Sequence, residues 1–280
     1  MTEPTGLRRW ADEQRRDAAV SRGAPVPPMP GPTALALPGA ASMVARSMAV
    51  PMRLLPLLSR IVRPISEFFL PAGPLVDRLE PLLAPGHAVL DLGCGKGGIA
   101  RRIAERAPVF VTGVDAHAPF IESARRAAIG TAFGERCTFL VDDITAPGPW
   151  MRPADLVLAL GVGPVYGALE VTLDFLATLV RPGGTLVWGR LVVPAARKVM
   201  VDRARETLAA SGLTLHHVQT DWSEAERAAL AARAQNLAEE ARALTVRSST
   251  YAPDLDDFLK TWVDGVPRPG RLPVVVTARR

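Results

Sequence analysis

The stretch of this chain best equipped for chemistry is a short apolar run that ends in a carboxylate and opens into glycines. Residues 89–98 read Val-Leu-Asp-Leu-Gly-Cys-Gly-Lys-Gly-Gly. Glycines at 93, 95 and 97 let the backbone turn sharply and bring a ligand against the main chain with no Cβ between them. A helix starting behind the turn aims its free N–H groups at the same place. Gly93, Gly95 and Gly98 also satisfy the dinucleotide spacing G-x-G-x-x-G, with an acid, Asp115, about 20 residues further on. Lys96 would suit a phosphate, but a P-loop needs Lys followed by Ser or Thr, and Gly97 follows here, so an ATPase reading is poor.

Three companions tilt the choice from a nicotinamide dinucleotide towards S-adenosylmethionine. Asp91 puts a carboxylate where a cationic amino-acid end could be held. Asp142-Asp143-Ile144 closes a third strand with acids placed for an adenine amino group, and Arg181-Pro182-Gly183-Gly184-Thr185-Leu186 makes a tight turn into a fifth. With these motifs, over roughly residues 80–193, the sequence resembles the class I S-adenosylmethionine-dependent methyltransferases. The matching strings are DLGCGKG at 91–97, VTGVD at 111–115, FLVDDI at 139–144, ADLVLALG at 154–161 and VRPGGTLV at 180–187. The resemblance implies an α/β, Rossmann-like, doubly wound seven-stranded sheet, mostly parallel with the last strand antiparallel. It also implies roles. Asp91 would hold the methionine amino group, and Gly93, Cys94 and Gly95 would line the methionine and ribose. Asp115 would accept the ribose hydroxyls, Ala116 would touch adenine, Asp143 would bond its amino group and Ile144 would pack on the ring. Leu160 and Gly161 would sit near the sulfonium.

These residues need strands to place them. Short apolar runs at 87–92, 109–115, 137–141, 154–161 and 185–193 alternate with helix-compatible segments at 99–107, 119–129, 164–180 and 195–210, the pattern of a parallel sheet covered on both faces. A strand at 213–220, a long helix over 223–243, a helix at 255–263 and a terminal strand at 272–277 follow. Ahead of the sheet lie a possible polar helix in 1–20, a proline-punctuated strap at 23–39, and an apolar segment at 40–70 cut by Pro51, Pro56 and Pro64. The expected division is an N-terminal extension and helical cap over 1–70 and a methyltransferase domain over 71–280. The 40–70 segment reads as core packing, or as a cap lining a substrate pocket, with a membrane-surface helix third because its polar face has few lysines and arginines.

Charge and cysteine content narrow the function classes. Thirty-three basic against 28 acidic residues give a formal +5, which alone would invite nucleic acid. The charges are dispersed, and aromatic residues for stacking bases are scarce, so a nucleic-acid partner is not favoured. Two distant cysteines, Cys94 and Cys137, exclude a disulfide framework and a cysteine-only zinc cluster. No apolar stretch of about 20 residues suggests a membrane span. With no secretory signal evident at the N-terminus, the expected location is the cytoplasm, and the arginine-rich, lysine-poor composition fits a bacterial protein of a GC-rich genome. After the fourth strand the chain reads GVGPVYG, without the Asn/Asp-Pro-Pro-Tyr of amide and adenine methylation and without a nucleophilic cysteine. A small-molecule acceptor is therefore expected, with an RNA methyltransferase or a non-catalytic S-adenosylmethionine-binding protein as alternatives. Tyr166 is the one candidate for acid–base chemistry. His117 is expected to cap a helix or lie exposed. His216 and His217 are expected on opposite sheet faces, one buried and one exposed, and no metal site is expected.

Overall fold

Apolar strands with no polar face must be covered on both sides, and the chain supplies a layer of helices for each. The computed structural model describes residues 50–163, 165–247, 251–262 and 272–280, with Val44, Ala45 and Met48. The polar helix expected in 1–20 and the strap at 23–39 lie outside the described residues. The strands are β1 (Ala88–Leu92), β2 (Phe110–Asp115), β3 (Cys137–Val141), β4 (Ala154–Leu160), β5 (Val180–Val192), β6 (Thr214–Gln219) and β7 (Leu272–Arg279). They form one seven-stranded sheet in the order β3-β2-β1-β4-β5-β7-β6. β7 runs antiparallel to both neighbours, and the other pairs are parallel. The doubly wound sheet expected from the motifs is what forms. Its order reverses at β1 and β4, the crevice where such sheets bind ligands.

The helices are α1 (Leu58–Ile61), α2 (Ala72–Leu79), α3 (Gly98–Arg106), α4 (Ala118–Ala128), α5 (Leu169–Thr178), α6 (Arg197–Ala210), α7 (Glu224–Arg247) and α8 (Ala252–Trp262). Leu75, Val76 and Leu79 of α2, Ile103 of α3 and Ile121 of α4 bury one face of the sheet. Leu173 and Leu176 of α5 and Ala204 and Leu208 of α6 bury the other. The i, i+3 and i+4 spacing within these sets is what puts each on a single helix stripe. α7 starts with a capping box: Ser223 N–H donates to Glu226 Oε2 at 2.8 Å while Glu226 N–H donates to Ser223 Oγ at 3.2 Å.

Above the carboxyl ends of the strands sits a third apolar cluster. Leu54, Leu58, Ile61 and Val62 pack with Leu237, Ala241 and Leu244 of α7, Leu255 and Phe258 of α8, and Phe120 of α4. The proline-cut segment is thus core packing along much of its length, and it shares that core with the C-terminal helices rather than standing apart. A 3-10 turn over Met52–Leu57 leads into α1.

Several local expectations are corrected. The helix expected over 164–180 is confined to α5, because Gly163 (φ +71°) and Gly167 (φ +94°) hold the preceding chain out of helical geometry. β5 starts at Val180 rather than 185, pairing with Ala154 before an irregularity that absorbs the Pro-Gly-Gly turn. His216 and His217 are both exposed. β6 is an edge strand whose register shifts between Leu215 and His217, and such a bulge breaks the alternation of faces. Among the described residues no group of His, Cys, Asp and Glu could hold a metal ion. None of the described helices is long and apolar enough to cross a membrane.

Candidate functional site

The glycine loop is fixed first by its own backbone. Gly93 N–H and Cys94 N–H both donate to Val114 O, at 2.8 and 3.0 Å, which folds the end of β1 across the end of β2. Gly95 has φ +56°, a left-handed conformation that costs any side-chain-bearing residue, and Gly97, also left-handed, is the N-cap of α3.

Two acids face this loop, Asp91 buried and Asp115 half-buried. Asp115 accepts Gly95 N–H with Oδ2 and His117 N–H with Oδ1, both at 2.8 Å. Burial nevertheless outweighs those two bonds and pushes its carboxyl up to about 6. Asp91, inside β1 and 4 % exposed, is pushed up to about 7, first by burial and then by the like charge of Asp115. Such a pair is primed for a cation. A ligand ammonium at Asp91 would supply the counter-charge, and ribose hydroxyls could donate to the lone pairs left on Asp115. This pair of acceptors fits S-adenosylmethionine.

The remaining motif residues gather around the same crevice. Asp142 N–H donates to Asp115 O at 3.2 Å, joining the end of β3 to that of β2. Asp142 Oδ1 accepts Asp143 N–H at 2.9 Å, so Asp142 serves the local turn. Asp143 Oδ1 accepts both Thr145 N–H (2.8 Å) and Thr145 Oγ1–H (2.7 Å), an Asx-turn that sets the carboxylate's orientation. A Cβ built on Gly93 would meet Val162 and, at 4.0 Å, Ile144 Cδ1, so these two side chains flank the loop. Leu160 is buried, and Gly161 (φ +71°) donates its N–H to Gly189 O at 2.9 Å. Cys94 Sγ packs against Gly113 and lies 3.7 Å from Gly95 O. Burial and both aspartates raise its thiol, so it is no thiolate nucleophile. Burial likewise lifts Cys137 to about 11, in keeping with inert packing.

His117 departs from its expected place, whereas Tyr166 packs at the end of β4. His117 occupies the N-cap position of α4, but its side chain makes no cap. It is fully buried, edge-on to Phe120 with ring centroids 4.4 Å apart. The apolar cluster above the sheet accounts for this, since Phe120 is drawn into it. Tyr166 packs its ring on Phe175, with centroids 4.8 Å apart, and its buried hydroxyl has no hydrogen-bond partner. Burial and the charge of Asp143 push the phenol's pKa up, so it stays protonated at neutral pH.

The roof of the crevice comes from the cap. A Cβ on Gly95 would lie 2.5 Å from the Phe68 ring, and one on Gly161 2.8 Å from Phe69 Cβ. One on Gly189 would lie 3.0 Å from both Phe69 and Leu160. Phe68 also stacks at 4.9 Å on Phe120, and Ala116 packs against the same cluster. Glu67 is held by Arg233 of α7 and accepts Ala72 N–H at 3.0 Å. The two phenylalanines end an apolar sequence run, the one signal that could have marked them. Nothing local marks Val162 or the Glu67–Arg233 pair.

Comparison with known proteins agrees with this arrangement. The methyltransferase domain family matches residues 89–184. An uncharacterised methyltransferase of Mycobacterium tuberculosis is 36% identical over 123 residues, covering 44% of this chain and 59% of that protein. The 2-methyl-6-phytyl-1,4-hydroquinone methyltransferase of Synechocystis is 29% identical over 191 residues, covering 67% of this chain and 57% of that one. The chain thus spans less than two thirds of the length of these curated relatives. Among solved structures, a SAM-dependent methyltransferase from Geobacter sulfurreducens in complex with S-adenosylhomocysteine superposes with a TM-score of 0.63. That match has 18% identity over 88% of this chain and 99% of the other, a likeness of fold. With its sheet order and its glycine loop between two acids, the chain carries a methyltransferase domain over residues 89–184 and is similar to the class I S-adenosylmethionine-dependent methyltransferases.

Proposed function

We propose that the protein transfers a methyl group to a small, largely apolar acceptor bound under the 62–70 segment at the ends of β4 and β5. The observation that carries this reading is the seating of Phe68 on Gly95 and of Phe69 on Gly161 and Gly189, an apolar roof where the sulfonium end would lie. The Synechocystis relative, named for a substituted hydroquinone, supports an apolar acceptor of that general kind.

When bound, S-adenosylmethionine supplies an electrophilic methyl group on a sulfonium. The chain's own residues hold and orient. Asp91 binds the amino group and Asp115 the ribose hydroxyls, with Asp143 at the adenine amino group and Ala116 and Ile144 against the ring. Gly93, Cys94 and Gly95 give main-chain contact along the ligand, and Leu160 and Gly161 border its reactive end. Phe68 and Phe69 exclude water and restrict the approach of the nucleophile, which is where alignment lowers the barrier. Tyr166 keeps its proton and is suited to donate a hydrogen bond rather than to act as base.

The test is calorimetric titration with S-adenosylmethionine and with NADH, followed by S-adenosylhomocysteine production over a panel of substituted phenols and hydroquinones, with RNA beside them. Saturable S-adenosylmethionine binding and turnover on an apolar phenol would support the reading. NADH binding, or turnover on RNA alone, would overturn it.

A further inference from the structure

Lys96 carries the one side chain of the glycine loop to which the cofactor reading gives no task, and it is not solvated. It is 5 % exposed, and its ammonium donates to Val62 O at 2.5 Å, Ile65 O at 2.9 Å and Arg63 O at 3.3 Å. These carbonyls follow the end of α1; Val62 O also accepts Ile65 N–H at 3.2 Å, and Pro64 has no N–H to offer the turn. A tetrahedral ammonium with three donors satisfies what the helix end leaves open.

The residues that follow lie over the loop in order. Ser66 O and Glu67 Cγ would each be 2.6 Å from a Cβ on Gly98, the Phe68 ring covers Gly95, and Phe69 reaches Gly161 and Gly189. One stretch of eight residues therefore runs from the floor of the crevice to its far wall, and a side chain of the floor anchors its start. Its middle is tied separately to α7, where Arg233 Nη1 donates to Glu67 O at 3.1 Å.

We propose that Lys96 is a positioning residue that pins residues 62–69 to the cofactor loop, so that Phe68 closes over bound cofactor and sets how long it stays. The proposal rests on the reading of the glycine loop as the S-adenosylmethionine cradle. Floor and roof are then one mechanical unit: movement of the loop on binding passes through Lys96 to the aromatic pair.

The probe is S-adenosylhomocysteine, with its dissociation rate followed by stopped-flow displacement from wild type, K96M, F68A and the double variant. Removing this three-pronged charge-assisted anchor raises the dissociation rate by about tenfold in K96M. F68A has a comparable effect, and the double variant is no faster than the faster single one, because both act through one roof. Backbone hydrogen exchange at residues 66–70 in ligand-free K96M is faster than in wild type. A dissociation rate unchanged in K96M despite a lowered Tm would show a structural role only and overturn the proposal, as would additive effects of the two substitutions. Should K96M fail to fold, wild-type exchange decides. Residues 66–70 must gain protection when S-adenosylhomocysteine is added, and unchanged protection overturns the proposal. Wild type that binds no S-adenosylhomocysteine would instead refute the cradle reading beneath it.

Discussion

Replacing Asp115 by Asn separates holding the loop from holding the ligand. In the ligand-free protein the carboxylate is strained by burial. A pKa lifted from 3.8 to about 6 means that ionisation at pH 7 opposes folding by about 3 kcal/mol, and Asn removes that term. Against it, Asn offers one acceptor where Asp115 offers two oxygens, each taking a backbone N–H at 2.8 Å. One of Gly95 N–H and His117 N–H then faces an NH2 group, and a buried donor left unmatched costs about 1–3 kcal/mol. The two effects oppose each other and are of similar size, so the Tm of the apo variant stays within about 5 °C of wild type. Ligand binding has no such offset. Two charge-assisted hydrogen bonds to ribose become at most one neutral bond, a loss of about a hundredfold or more in affinity. Thermal unfolding at pH 7 and calorimetric titration with S-adenosylhomocysteine read the two quantities independently. Affinity within threefold of wild type would refute the ribose assignment. A Tm lowered by far more than the offset allows would show that the carboxylate chiefly fastens the loop.

Asp91 makes the site pH-dependent with a definite sign. Its folded-state pKa of about 7 lies above the ordinary 3.8, so apo stability from this group is full at low pH and declines as pH rises towards 7. Binding that requires the ionised form therefore tightens from pH 5.5 to 7 with release of a proton, and calorimetry in two buffers of different ionisation enthalpy shows that release shrinking in D91N. Gly95→Ala places a Cβ 2.5 Å from the Phe68 ring at φ +56°. The backbone alone costs about 1–2 kcal/mol, so Tm falls by several degrees, and adding F68A restores the contact part but not the backbone part. Glu226→Ala removes a 3 %-exposed carboxylate that accepts Ser223 N–H and Gln219 Nε2–H. The reciprocal half of the α7 capping box is lost while the N–H of residue 226 still donates to Ser223 Oγ, at about 1–2 kcal/mol, read as a lowered chemical-denaturation midpoint. Arg233→Met takes from Glu67 its nearer guanidinium and leaves Arg102 at 3.6 Å, costing about 1–3 kcal/mol, with Glu67→Gln on the same background recovering part of it.

How much of this was legible depends on how far apart the cooperating residues lie. β1 through β4 were readable because each is a short unbroken apolar run, and β3 spans the expected residues 137–141. The loop and its two acids were readable because 91, 93, 95 and 115 belong to adjacent strand ends, where spacing alone fixes proximity. Failures arose where a distant element decides. His117 has the sequence context of an exposed cap, yet the cluster built by residues 54–62 with α7 and α8 draws it inward with Phe120. The alternation expected at His216 and His217 was lost to a bulge against β7, which no local pattern in β6 announces. Glu67 and Arg233 are 166 positions apart, and nothing in either neighbourhood selects the other.

Lys96 shows most clearly why residue type can be read before partner. The chain uses arginine at thirty of its thirty-three basic positions and lysine only at 96, 198 and 260. Lys198 and Lys260 are exposed and reach Asp202 and Asp257 on their own helices, pairings an arginine could also make. At position 96 the acceptors are three main-chain oxygens converging from 62, 63 and 65. A compact ammonium can point three donors into that arrangement, whereas a planar guanidinium presents a fork suited to carboxylate or phosphate. The geometry therefore asks for lysine in particular at this one place. In sequence the same residue looked like a phosphate ligand, because a lysine in a glycine loop is ordinarily judged by the ligand in front of it. Here its partner is the chain folded above, and what the loop holds by that side chain is its own roof.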